Sequence, residues 1–478
     1  MRRRQQVDYE NAGDDYLANR QLRGGTAGWL LLAGLGVSYV ISGDFAGWSY
    51  GLGEGGWGGM LVATALMATM YLCMVFGLAE MASALPVAGA GYGFARRALG
   101  PLGGFATGVA ILVEYAIAPA AISVFIGGYV ESLGLFGLTS SWPVYLVCYL
   151  VFVGAHLYGV GEALRMMLVV TGVAVVALVA FAVGMVPAFA PDKLVDIAPT
   201  SAAGASPFLP FGYAGVWAAL VYGIWFFLAV EGVPLAAEEA RDPRRDMPRG
   251  IIAAVLALLL FAAVILVLAP GGAGSAVIAQ SDNPLPAAMR AAAGGNGALA
   301  QFVNYVGLAG LVASFFSIIY AYSRQLFALS RAGYLPRWLS LTSRRRTPYA
   351  ALIAPGTIGF ALAAATGDGA QLINIAVFGA TASYVLLNLS HIVLRVREPE
   401  LRRPYRTPGG VVTTSIALVL AVAAVLATFL VDPTAAAITA GILLAALAYF
   451  WFHSRHHLVA NAPEEEFAAV EAAESELS

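Results

Sequence analysis

Charge is the scarcest commodity in this sequence. Only 11% of its 478 residues are Asp, Glu, Lys or Arg, while 60% are hydrophobic. A soluble domain carries about 25% charged residues, so a chain of two or three water-soluble domains is excluded. The 26 Lys and Arg against 28 Asp and Glu leave a formal charge of −2, without the cationic excess that nucleic-acid binding needs. The two cysteines, Cys73 and Cys148, both fall within apolar stretches. They read as small buried hydrophobes rather than a disulfide framework. No glycine-rich phosphate loop with a lysine is present, no catalytic constellation stands out, and no cofactor is implied; an enzyme is not expected. No apolar segment precedes Gly28, so a cleaved secretory signal is not expected and the first apolar span would itself address the chain to a membrane.

What fills the sequence is long apolar runs. Residues 250–269 read GIIAAVLALLLFAAVILVLA, without a charge, and about 20 such residues make a helix that crosses a bilayer core about 30 Å thick. Spans are expected at 27–53, 58–82, 101–130, 143–160, 163–187, 214–237, 250–269, 298–328, 348–366, 372–394, 411–431 and 434–453: an all-α polytopic membrane protein of 12 transmembrane helices. Numbering the linkers from an inside N-terminus puts every Lys and Arg except Lys193 and Arg290 on one side. The positive-inside rule then places both termini in the cytoplasm. The chain divides into a tail (1–25), a ten-helix core (26–395), a linker with two peripheral helices (396–453) and an acidic tail (454–478), read as solvated because runs of like charge repel.

Two spans are interrupted. The first contains YVISGDFAG over 39–47, and the sixth FLAVEGVP over 227–234. They are five spans apart, hence equivalent if spans 1–5 and 6–10 form an inverted repeat, and glycine- or proline-broken helices so paired mark a transporter's binding site. Four acids fall within spans: Asp44, Glu80, Glu114 and Glu231. Each costs roughly 2.5–3.5 kcal/mol at mid-bilayer, and no Lys or Arg lies at comparable depth, so water, a proton or a visiting cation has to answer them. Glu80 lies close to Pro86, Arg96 and Arg97, and reads as a structural salt bridge. Glu231 has two readings, binding the unwound backbone of span 1 or binding substrate. Asp44 and Glu114 read as functional. Among the aromatics near the breaks (Tyr39, Phe45, Trp48, Trp225, Phe226, Phe227), Trp225 lies six residues before Glu231, where its face would hold an ammonium by cation–π attraction. His156, His391, His453, His456 and His457 read as interface residues, and no metal site is expected.

Several stretches together carry a resemblance. LAEMASALPVAGAGY over 78–92 with RRALGP over 96–101, Glu231-Gly232 with EEARDP over 238–243 and Pro248-Arg249, Tyr322 and Arg324 with SRAGYLP over 330–336, and RPYRTP over 403–408 resemble, in order, the signatures of the amino acid–polyamine–organocation transporters. YVISGDFAGW (39–48), GGWGG (55–59), MYLCM (70–74) and EYAIAPAA (114–121) resemble its ethanolamine permease branch. The resemblance implies a leucine-transporter-type fold, two inverted five-helix repeats with helices 1 and 6 broken, and a homodimer through the last two helices. By motif, Ser42, Gly43 and Asp44 line the span 1 break. Trp225 matches the gating tryptophan of the arginine/agmatine antiporter branch, and Glu231, followed by Gly232 and preceded by Val230, its span 6 acid. Thr171 stands where some proton-coupled relatives carry a lysine. Glu114 replaces a small residue that lines the far end of the pocket.

These departures set the expected substrate. An acid directly after Ser42-Gly43 repels a substrate carboxylate, at a cost of roughly 4 kcal/mol for a contact at ~4 Å and an effective dielectric near 20. An ammonium without a carboxylate fits. The expectation is a plasma-membrane permease that imports ethanolamine by alternating access, coupled to H+ or Na+. Asp44 and Glu114 would hold the ammonium; Ser42 and the Val230–Gly232 break would bind the hydroxyl. Trp225 would close over the substrate, and Glu231 would bridge the broken helices. An amino acid or polyamine permease of the same fold is the alternative, and a non-transporting amine sensor a more distant one.

Overall fold

The computed structural model describes residues 7–10, 16–17, 20, 27–86, 89–134, 137, 140–159, 161–279, 281–294, 297–460, 462–463 and 465, without the side chains of 161–166 and Glu238. Outside the described residues lie Arg2 to Arg4, Asp14, Asp15, residues 87 and 88 of the 78–92 motif, and the tail acids Glu464, Glu466, Glu471, Glu474 and Glu476.

Helices dominate. In chain order they are α1 (Trp29–Val40), α2 (Ser42–Phe45), α3 (Tyr50–Ala84), α4 (Gly91–Ser132), α5 (Trp142–Tyr158), α6 (Gly161–Met185), α7 (Gly212–Trp225), α8 (Pro243–Ala273), α9 (Ser275–Ile278), α10 (Pro284–Ala293), α11 (Ala298–Arg331), α12 (Tyr349–Thr366), α13 (Gly369–Arg397), α14 (Val411–Val431) and α15 (Pro433–Phe452). A 3-10 segment, Val230–Glu239, follows α7. Among the described residues, ten helices are long and apolar enough to cross a membrane, while Trp29–Val40 and Trp142–Tyr158 are shorter apolar helices. The chain is a multi-pass membrane protein. Long helix α13 runs against α4, and α3 against α7. The lipid-facing character of the periphery shows in α14 and α15, whose exposed residues include Val412, Val419, Leu430, Leu444 and Phe452.

The helix ends follow local chemistry. Gly56 separates one turn after Tyr50 from the long remainder of α3, with φ +65°. Only glycine takes that conformation cheaply, and a Cβ there would come within 2.2 Å of the Pro210 ring. Gly100, at φ +83°, makes the corresponding break in α4, and Pro101 then starts the membrane helix, where its missing N–H costs nothing. The expected start of that span at 101 is therefore right for the span, but Arg96 and Arg97 belong to a short helix before it rather than to a loop.

The first span differs from expectation more. Ser42, Gly43 and Asp44 are helical, forming the last turn before the interruption, and the chain leaves the helix at Ala46, which is extended (φ −156°, ψ 161°). Gly47 follows at φ +89°. The break thus lies at 46–49, one turn beyond the Ser-Gly pair, because the left-handed position is Gly47.

Glu80 is structural, as expected, but with other partners than Arg96 and Arg97. Arg395 binds both its oxygens, Arg403 approaches at 2.9 Å, the Thr407 N–H donates at 2.7 Å, and His391 Nε2 stands 3.3 Å away. The span 10 exit is thereby tied to span 2. Two histidines expected at interfaces are instead enclosed: His391 lies between Glu80 and Thr414 Oγ1, 2.8 Å from Nδ1, and His156 packs on Phe316 with ring centres 3.9 Å apart. Arg97 pairs with Glu398 at 2.7 Å.

Two stability consequences follow from these observations. Glu80→Ala leaves the guanidinium groups of Arg395 and Arg403 facing each other without their acid, and loss of one partner of such a network costs about 3 kcal/mol or more. Gly56→Ala combines a left-handed backbone with the Pro210 collision and costs more than about 1 kcal/mol. Thermal unfolding in detergent, followed by size-exclusion fluorescence, is expected to fall by several degrees for both, with Glu80→Ala the larger; unchanged curves contradict the assignment.

Candidate functional site

The two interruptions touch. Trp225 Nε1 donates to the Ala46 carbonyl at 3.0 Å, so the last residue of α7 satisfies an acceptor that the span 1 break leaves free. Glycines permit the approach. A Cβ on Gly43 would lie 2.4 Å from the Trp225 carbonyl oxygen, and one on Gly47 2.6 Å from Trp225 Nε1. In span 6 the left-handed residue is Ala229, at φ +78°. A non-glycine residue held there is strained by about 1–2 kcal/mol, and such strain collects at functional sites. The Val230 and Gly232 N–H groups are used within the break, on Phe227 O at 3.3 Å and Ala229 O at 3.0 Å.

Glu114, from the middle of α4, and Glu231, from the break, form a carboxyl pair close enough to hydrogen-bond, and Glu114 also faces the Ala229 backbone N–H. Both are buried. The Tyr115 hydroxyl donates to Glu231 Oε1 at 2.9 Å. The Tyr384 hydroxyl of α13 lies 3.2 Å from Glu231 Oε2, 3.4 Å from Glu114 Oε1 and 2.8 Å from the Tyr71 hydroxyl of α3. Glu114 Oε2 has no hydrogen-bond donor among the described residues. The Tyr71 ring packs on Phe227, centres 5.3 Å apart, and Gly232 is required because a Cβ there would stand 2.8 Å from the Tyr115 hydroxyl oxygen. Spans 2, 3, 6 and 10 thus converge on two acids and three phenols, and among the described residues no cationic side chain hydrogen-bonds them.

Other expected site residues lie elsewhere. Asp44 is buried, and no donor among the described residues reaches either of its oxygens. Glu114 stands beside Glu231 and not beside Asp44. Glu231 bridges spans 3 and 10 instead of binding the unwound backbone of span 1. Trp225 closes the span 1 break and meets Phe125 edge-on at 6.2 Å; the ring packed against the phenol cluster is Phe227, tilted on Tyr71. Ser42 Oγ lies 2.8 Å from Ser314 Oγ, and Ser314 donates to the Tyr39 carbonyl at 2.6 Å, so Ser42 is the donor of that pair. One turn earlier Ser38 meets Ser317. Thr171 is also buried, and its hydroxyl bonds Met167 O of its own helix at 2.8 Å, while Met167 Sδ accepts from Ser317 at 2.7 Å. These hydroxyls and carbonyls form a ladder between span 1 and α11. Among the described residues no group of three or more His, Cys, Asp or Glu could hold a metal.

Sequence reasoning missed Tyr71, Tyr115, Tyr384 and the serines of α11. Tyr115 had a signal, as the neighbour of an intramembrane acid, and Tyr71 lies inside the 70–74 motif. Tyr384 had none, because its role comes only from where α13 packs.

The chain has relatives among known proteins. The amino acid permease family matches residues 30–458. The chain is 30% identical to an uncharacterised transporter of Rhizobium meliloti over 88% of this chain and 90% of that one. It is 28% identical to the branched-chain amino acid permease BcaP of Bacillus subtilis (75% and 78%) and 27% identical to the methylthioribose transporter of the same organism (78% and 80%). With a match that runs from the first helix to the strand after the last, this chain belongs to the amino acid permease family, and it is a transporter rather than an enzyme.

Proposed function

We propose that the chain is a secondary permease that imports ethanolamine, with the ammonium group seated between Glu114 and Glu231. The observation that carries the reading is the charge count at that seat. Two adjoining carboxyl groups are buried, and the groups that hydrogen-bond them are two phenols, Tyr115 and Tyr384, the second backed by Tyr71. Two such anions at ~4 Å repel by roughly 4 kcal/mol at an effective dielectric near 20. A proton or a cation removes that cost, and an ammonium adds up to three N–H donors for the partnerless Glu114 Oε2 and its neighbours. The faces of Tyr71 and Phe227 supply cation–π attraction.

A substrate carboxylate is poorly served. The N–H groups of Asp44 and Ala46 at the span 1 break are already bonded to Ile41 O (3.2 Å) and Ser42 O (2.9 Å). A carboxylate seated beside the Glu114–Glu231 pair would add a third acid to that place, and it is repelled wherever either member is ionised. The names of two relatives, a branched-chain amino acid permease and a methylthioribose transporter, favour a second reading, an amino acid or other polar metabolite as cargo. The like-charge argument is our reason for ranking it second.

The rest of the reading follows the family's architecture: twelve spans, a five-plus-five inverted repeat, both termini in the cytoplasm, a plasma-membrane location and a homodimer. Coupling has two candidate seats. A proton would sit on the Glu114–Glu231 pair or on Asp44. A sodium ion would need oxygen ligands, which the ladder of Ser38, Ser42, Ser314 and Ser317 with the Tyr39 and Ala313 carbonyls could offer.

The test is uptake of labelled ethanolamine into proteoliposomes under an imposed pH or sodium gradient. Saturable uptake is expected, competed by short amino-alcohols and not by alanine, and the gradient that drives accumulation names the ion. Accumulation of alanine or putrescine in place of ethanolamine overturns the substrate. Glu231→Gln is expected to abolish most uptake. Tyr384→Phe removes one hydrogen bond to a charged group, worth about 1.5–3 kcal/mol, and is expected to lower kcat/KM roughly 10- to 100-fold by the relation of 1.4 kcal/mol per decade. Asp44→Asn separates the two acid sites: strongly reduced uptake at unchanged ethanolamine affinity assigns Asp44 to coupling, whereas weakened affinity returns it to the substrate seat.

A further inference from the structure

The two ends of the chain meet on the face that carries the arginines. Strand β1 (Tyr9–Glu10) pairs in parallel with β2 (Leu458–Val459). The Val459 N–H donates to Ala332 O at 3.0 Å, and the Ala460 N–H to Glu10 O at 3.3 Å. Six residues after β2, Glu465 is fully buried at 0% exposure. Part of the acidic tail is therefore seated, not solvated.

The seat is complete. Arg96 donates from Nε to both Glu465 oxygens at 3.0 and 2.8 Å, with Nη2 2.7 Å from Oε2. The hydroxyls of Tyr92, Tyr334 and Tyr9 donate at 3.1, 3.0 and 3.2 Å. Arg96 is itself buried, and Tyr334 packs near-parallel to Phe105 and Phe450 at 5.7 and 6.3 Å, two rings that also pack on each other at 5.6 Å. A carboxylate drawn from water into such a place needs its full set of charge-assisted bonds, and this one has them from the N-terminal strand, α4 and the turn after α11.

The seat is connected to the broken helices. Glu10 binds Arg337 at 2.5 Å. Farther along the same arm, Tyr16 donates to Arg331 O at 2.8 Å, and Arg20 to Ser340 Oγ at 2.8 Å and Arg337 O at 3.1 Å. Ala27, at the start of span 1, donates its N–H to Glu239 O at 2.8 Å and accepts from the Arg241 N–H at 2.9 Å. Alternating access requires such broken elements to rock against the rest of the bundle, and here their inner ends are tethered through the arm that Glu465 holds down.

We propose that Glu465 in its Arg96–tyrosine seat is a latch that keeps the arginine-bearing face closed, so that release of the tail lets the inner half of span 1 open. The inference rests on the carrier reading but not on which substrate is carried.

A substrate-free assay tests it. In full-length protein with Cys73 and Cys148 replaced by Ser, a reporter Leu35→Cys lies at the inner half of α1 near Met167 and Glu239, where Leu35 is 5% exposed. Its reaction with a membrane-impermeant maleimide, offered from the arginine-bearing side, is expected to rise at least threefold when Glu465→Gln is added, and less for Glu465→Asp. A second reporter, Glu400→Cys, exposed on the same face in the linker after α13, is expected to react at an unchanged rate. Equal Leu35→Cys rates with and without Glu465→Gln overturn the latch, and so does a parallel rise at both reporters, which would mean general loosening. If Glu465→Gln does not yield folded protein, Tyr9→Phe with Tyr334→Phe, which keeps the ion pair, is read against the same threefold threshold. Ethanolamine uptake is scored separately, so failure of the latch leaves the substrate reading standing, and the reverse.

Discussion

An interrupted helix in a bilayer has to find partners for the backbone groups it frees, since each orphan costs several kcal/mol in hydrocarbon. Here the two interruptions serve each other. The indole N–H of Trp225 takes the Ala46 carbonyl, and Gly43 and Gly47 are bare enough to let the α7 end come that close. The Ala229 N–H faces an acid from span 3. The remainder of the inner bundle is arranged around this contact: α4 and α13 have to deliver Glu114 and Tyr384 to the point where α7 ends.

That arrangement explains why the acids occur as a pair. Glu114 is aimed at the strained turn at Ala229, and Glu231 is two residues beyond it, so a carboxyl that supports the broken backbone necessarily stands beside one that the break itself exposes. Three phenols surround them. Tyr384 has one hydroxyl proton and lies within reach of both Glu114 and Glu231, so it serves them only in turn, while the Tyr71 hydroxyl can donate to it. Such a cluster is poised between arrangements rather than locked in one, and buried polar networks left partly satisfied are where a ligand has most to contribute.

Much of the fold was legible in the sequence, because hydrophobic run length is a direct reading of bilayer thickness. The expected span 411–431 coincides with α14, 434–453 and 143–160 differ from α15 and α5 by one or two residues, and the long helices α8 and α13 overshoot their apolar cores at charged ends. The interruption in span 1 was legible only to within a turn. A Ser-Gly pair signals a weak helix, yet the residue that leaves it is set by which glycine takes a positive φ, and that depends on the approach of Trp225. At the site, acids announce themselves in an apolar run, whereas serines and tyrosines do not, since both are at home in a helix. Hence Glu114 and Glu231 were found, while Tyr384 and the Ser314–Ser317 ladder were not. Pairing is less legible still. Glu80 found Arg395 and Arg403, more than 300 positions away, in place of nearby arginines, and Asp44 was separated from Glu114 by packing that no local pattern encodes.

The tail shows the same limit from the other side. Six acids in a short C-terminal stretch read as solvated, a rule founded on mutual repulsion. Repulsion is an average over the run, and a single member escapes it wherever a preformed cationic seat exists. Arg96 provides one because the Gly100 break turns its short helix away from the membrane span and under the turn that carries Tyr334. The glycine that shapes the entrance to span 3 thus also decides where a distant acid can dock. Contacts at the inner face therefore join both ends of the chain, through Arg20 and Glu465, to the segment that follows α11.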